Sequence, residues 1–127
     1  MSRIKTMAVV AATALATESQ ALEREDIAYR FAACAGRFSA EMEHGWLMND
    51  PRADVIAQER SAFVKLVEAA LPTGQGRAVL SHRIEVKLAH AALLQHASFA
   101  TRPDRARAAR RTANHHLTTC RTLLLGS

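Results

Sequence analysis

Residues 22–48, LEREDIAYRFAACAGRFSAEMEHGWLM, decide the fold class. Ile27, Phe31, Cys34, Phe38, Met42 and Gly45 recur at steps of four and three, while Glu23, Arg30, Arg37 and Glu41 fall elsewhere. That periodicity predicts one helix with one buried stripe. Asn49, Asp50 and Pro51 end it and begin the next, with Asp50 as the expected N-cap and Pro51 at the first helical position, where a missing N–H is harmless.

The same pattern continues towards the C-terminus. A second helix runs to about Leu71 over Val55, Ala62, Phe63, Leu66, Val67 and Ala70. Residues 72–76, PTGQG, form the clearest loop, because two glycines and a proline in five positions disfavour helix. A third helix spans about Arg77 to Phe99 and is the most apolar, with Val79, Leu80, Ile84, Val86, Leu88, Leu93 and Leu94 covering more than one face. Thr101, Arg102 and Pro103 repeat the cap-then-proline pattern. The fourth helix carries Ala106, Ala109, Ala113, Leu117, Cys120 and Leu124 inward before Gly126 ends it. No window alternates apolar and polar residues as a strand does. Short connections make successive helices antiparallel neighbours, so the expected fold is an all-α, up-down-up-down four-helix bundle.

Upstream of this pattern, residues 1–21 (MSRIKTMAVVAATALATESQA) read as a cleaved signal peptide. Arg3 and Lys5 supply a positive start, Met7 to Ala16 an uncharged apolar core, and Ser19 and Ala21 the small residues a signal peptidase accepts. Cleavage is expected after Ala21, with Ala16 as the second choice. The ten-residue core is too short to span a bilayer, and no other apolar run reaches that length. What remains, residues 22–127, is 106 residues long and suits a single helical domain. The expected location is periplasmic or secreted.

Seventeen basic residues against twelve acidic ones give the whole chain a formal charge of +5 at pH 7. Setting aside Arg3, Lys5 and Glu18 leaves 15 and 11 in the mature chain. The excess is concentrated: Arg102, Arg105, Arg107, Arg110 and Arg111 stand against Asp104 alone at the start of the fourth helix. Arg107, Arg110 and Arg111 share one helical face. This ridge is read either as a solvated outer face, braced by acids such as Glu23 and Glu25 of the first helix, or as the contact for an anionic partner, whether lipid headgroups or an acidic envelope protein. Nucleic acid is not expected, since aromatic content is low and no recognition motif is present.

Cys34 lies between Phe31 and Phe38 on the first inward stripe, and Cys120 between Leu117 and Leu124 on the last. In an up-down bundle the first and last helices are antiparallel neighbours, so the two thiols can meet if the helices are suitably staggered. An even cysteine count behind an export signal is the mark of a disulfide. The segment FAACAGRFSAEMEHGW (31–46), with HAALL (90–94) and Cys120, resembles a group of small exported alphaproteobacterial helical proteins of unassigned function. The resemblance implies export and a Cys34–Cys120 pair, and brings no activity, cofactor or catalytic residue.

Metal and catalytic chemistry find little to work with. Glu41 and His44 are three apart on one helix face, as in di-iron carboxylate bundles, but the second Glu-x-x-His and two further glutamates are missing; helix three offers only His82 with Glu85 in reverse order, and Glu59 and Glu68 sit off the apolar stripe. His115 and His116 point about 100° apart, so both do not easily join Cys120 around zinc. Haem attachment is excluded by the absence of Cys-x-x-Cys-His. Ser39, Ser61, Ser81 and Ser98 lie in ordinary helical patterns without a nucleophile-elbow motif. The sequence therefore reads as a non-enzymatic, exported accessory or interaction protein of the cell envelope, closed by one disulfide and without a cofactor. The alternative is a metal-binding bundle using Glu41 and His44.

Overall fold

A computed structural model describes residues 3–126, with side-chain environments from residue 17 onward. The described residues form four helices: α1 (Arg3–Leu47), α2 (Ala53–Ala70), α3 (Gly76–Phe99) and α4 (Pro103–Leu125). No strand occurs among the described residues. α1 runs unbroken past the bond between Ala21 and Leu22; the positive start and apolar core expected of the export signal lie outside the described side chains.

Each connection has a local physical cause. After α1, Asn49 takes a left-handed φ of 53°, the Asp50 N–H donates to the Gly45 carbonyl at 2.8 Å, and the Asn49 N–H to that of Trp46 at 3.3 Å. This is a Schellman ending with asparagine in glycine's usual place. The Asp50 carboxylate then accepts the Arg52 N–H at 2.9 Å, and the Ala53 N–H donates to the Asp50 carbonyl. Asp50 is therefore not the N-cap expected of it: its tight turn places Arg52 at the cap position, with no side-chain cap bond, and the regular helix starts at Ala53, two residues after Pro51. The second loop turns on Gly74, whose φ of 81° suits the third position of a turn closed by the Gln75 N–H on the Pro72 carbonyl. Pro103 stands in the first turn of α4, as expected, but Arg102 rather than Thr101 is the N-cap, and no side chain caps it.

The helices alternate in direction. Phe63 of α2 stacks on Phe38 with ring centroids 5.5 Å apart, and Ala53 packs at Gly45, which sets α2 antiparallel to α1. Tyr29 meets His82, and His44 meets Ser98, so α3 runs parallel to α1. α4 runs antiparallel to both.

The packing differs from the expected arrangement in one respect. α1 makes its most extensive contacts with α2 and α3, while it meets α4 over a shorter stretch around the disulfide. One buried stripe was expected on α1; instead Phe31–Gly36 and Phe38–Ala40 are all buried, so α1 is enclosed around most of its circumference. The cause is small side chains. Ala28, Ala32, Gly36 and Ala40 repeat every four residues on the face towards α3 and let the two backbones approach closely.

A larger apolar cluster fills the space between α1, α2 and α4: Phe31, Cys34, Phe38, Met42, Ile56, Phe63, Leu117 and Cys120. Two sequence expectations fail here. Val55 is exposed, and Ala53 and Ile56 are buried in its place; Leu80, Ile84 and Leu88 of α3 also face outward. α3 packs mainly on α1 and α4 and meets α2 where Val79 lies by Val67 and Ala70, so one flank of its broad apolar surface stays uncovered.

Candidate functional site at the loop end

The disulfide is the best-defined feature of the chain. Cys34 and Cys120 are bonded across 86 residues with their Cα atoms 5.6 Å apart, and both are buried in the main cluster. Beside it stand polar groups that helix periodicity did not bring together. His90, buried on α3, donates from Nε2 to the Glu41 carboxylate at 2.7 Å, while its Nδ1 has no hydrogen-bond partner. The His116 ring of α4 lies 6.1 Å from that of His90. Burial first, and then the charge of Arg37, hold the His116 imidazole below its ordinary pKa. Arg37 itself reaches the Cys120 sulfur at 3.7 Å, and burial lowers its pKa.

Below this cluster, residues of all four helices line a cleft of about 440 Å³ at the end that carries the α1–α2 and α3–α4 loops. Its floor is apolar, formed by Ile56, Leu94 and Leu117. Its charges are largely paired within the fold. Glu59 accepts from Arg121 at 2.6 and 3.0 Å, and the Arg121 guanidinium lies over the Phe38 ring. Hydrogen bonds from the Arg52 side chain and then from its backbone N–H hold the Asp50 carboxyl down to about 2. Arg110 instead donates to the Ala97 carbonyl at 3.2 Å.

His44 and Ser98 share a 2.9 Å hydrogen bond at the cleft wall, a nucleophile-and-base pairing that their sequence separation concealed. Such a pair becomes catalytic when a third group orients the imidazole and donors await an oxyanion. No carboxylate bonded to His44 accompanies it among the described residues. Glu41 and His44, considered together as metal ligands, turn to different partners, His90 and Ser98. Among the described residues no group of three or more His, Cys, Asp and Glu side chains is gathered for a metal ion. His115 is exposed, and Cys120 is committed to the disulfide.

Arg107, Arg110 and Arg111 are all exposed on the first turns of α4. Because α4 is antiparallel to α1, this ridge stands beside the C-terminal part of α1, and Glu23 and Glu25, the expected braces, are at the far end of the bundle. Arg102 pairs locally with Asp104 at 3.0 Å. The ridge thus adjoins both the cleft and the loop tip. No helix among the described residues is long and apolar enough to cross a membrane. Comparison with known proteins gives no match to any family model, curated protein or solved structure.

Proposed function

We propose that this chain is an exported accessory protein of the cell envelope that works by binding rather than by catalysis. The observation that carries the reading is the buried Cys34–Cys120 bond, since structural disulfides persist in oxidising compartments and are rare in the cytosol. The placement of the core agrees with removal of the leader. Residues 17–24 are exposed, and the first buried residue among the described side chains is Ala28, so cleavage after Ala21 takes away no described core side chain. Binding is favoured over chemistry because the carboxylates Glu41, Asp50 and Glu59 of the cleft are already held by His90, Arg52 and Arg121, whereas Arg107 and Arg111 of the ridge are exposed.

Fractionation of cells expressing the full chain tests this, combined with intact-mass measurement under non-reducing conditions. The expected species starts at Leu22, sits outside the cytoplasm and is two hydrogens lighter than its reduced form. A chain retaining Met1 in the cytoplasm with two free thiols would overturn the proposal.

A further inference from the structure

The loop end combines two features that the helix stripes do not explain. Trp46, Leu47 and Met48 are consecutive and exposed, Trp46 at 55% and Leu47 at 72%, on the last turn of α1 and the residue beyond it. Phe99, 63% exposed, is the last residue of α3, and the neighbouring Ser98 is bonded to His44. Val55 stands exposed on the first turn of α2. The ends of three helices therefore present large apolar side chains, two of them aromatic, on one tip of the molecule. Set back from this tip, Arg105, Arg107 and Arg111 are exposed along the start of α4. At 1.5 Å rise per residue they lie within roughly 12 Å of that helix's beginning.

We infer that this tip docks end-on at an anionic lipid surface, with Trp46, Leu47, Met48 and Phe99 entering the interface and the α4 arginines meeting headgroup phosphates. Trp and Phe beside Leu suit the boundary between acyl chains and headgroups, and guanidiniums set back along the first turns of α4 suit phosphate. Charge complementarity selects this occupant. Between residues 46 and 56 and between 99 and 111 there are six arginines against three aspartates, and Asp50 and Asp104 are already paired with Arg52 and Arg102. A second copy of the chain meeting the same tip would bring two arginine ridges face to face, and like charges at an interface are penalised. The inference deepens the envelope reading by naming its partner, yet vesicle binding is measured in vitro and stands or falls independently of export.

Trp46 is the only tryptophan in the chain, so its emission reports the tip and not the apolar N-terminal segment. The full chain is titrated with vesicles of phosphatidylglycerol and phosphatidylcholine, and separately with pure phosphatidylcholine. A blue shift of Trp46 and its quenching by acyl-chain-brominated lipid are expected with the anionic vesicles. Raising the salt concentration should weaken the response. Each of Arg105→Gln, Arg107→Gln and Arg111→Gln should weaken binding roughly fivefold, and Leu47→Ser or Phe99→Ser roughly tenfold. These positions are exposed, and circular dichroism checks that the variants stay folded. Co-sedimentation while Trp46 stays open to aqueous quencher would overturn the inference, as would equal binding to pure phosphatidylcholine or no binding at all. A Trp46 response to soluble polyglutamate alone would overturn it too, assigning the tip to an acidic protein.

Discussion

Gly36 of α1 lies directly against the backbone of Arg83 in α3: a Cβ added at Gly36 would fall well inside the 3.0 Å that real Cβ atoms keep from the Arg83 carbonyl oxygen, and 3.1 Å from the Lys87 nitrogen. Backbone atoms of a packed helix have no rotamer by which to give way, so the α1–α3 spacing depends on the missing side chain.

Gly36→Ala is therefore expected to destabilise the bundle, although alanine is the better helix former by about 1 kcal/mol. Overpacking by one methyl against backbone costs about 2–3 kcal/mol, and the balance should lower Tm by roughly 5–10 °C. Thermal unfolding by circular dichroism checks the sign: a neutral or stabilising substitution would mean that α1 and α3 stand further apart.

Loss of the disulfide should cost more. Its loop spans 86 residues, which in the chain-entropy picture corresponds to about 4–5 kcal/mol. Cys34→Ser and Cys120→Ser should each lower the unfolding free energy by that order, and the double variant should add little to either single one. Denaturant titration of the three variants measures this.

The Glu41–His90 pair gives a third expectation. Glu41→Gln keeps an acceptor for the His90 N–H and should change stability little, whereas Glu41→Leu leaves both nitrogens of a buried imidazole unpaired. That loss is about 1–3 kcal/mol. Similar destabilisation by both variants would show that charge, rather than hydrogen bonding, holds His90.

Stability should also fall in mildly acid solution through His116. Its pKa is lower in the folded state than the ordinary 6.5, by burial and then by Arg37, His90 and His115. The unfolded chain therefore binds the proton more readily. Stability is full above about pH 6.5 and declines as pH drops through that value towards the folded-state pKa. Glu41 and His90 also face this region from α1 and α3. Unfolding midpoints measured between pH 7.5 and 5 should fall less steeply for His116→Gln than for the parent chain.

Four helices and the two cysteines that meet were legible in the sequence, and so were the helix ends to within about two residues, except the start of α1, which was expected near Leu22 and lies at Arg3. Those properties are local: the stripe of Phe31, Cys34, Phe38 and Met42, the break at Asn49 to Pro51 and the loop around Gly74 are each settled by neighbouring residues. The arginine ridge was visible as composition, but its place beside the α1–α2 loop, away from Glu23 and Glu25, depends on how α4 packs.

Helix packing, by contrast, makes α1 the enclosed helix, leaves Leu80, Ile84 and Leu88 of α3 outside, and brings Trp46 and Phe99 to one tip. Alanine and glycine carry too little hydrophobic signal to mark a buried face, so the Ala28, Ala32, Gly36 and Ala40 row reads as ordinary helix former. Its effect appears when a second backbone comes close. The partners of Glu41 and His44 were hidden for the same reason, because they lie 49 and 54 residues away on a helix whose distance from α1 is set by those small side chains.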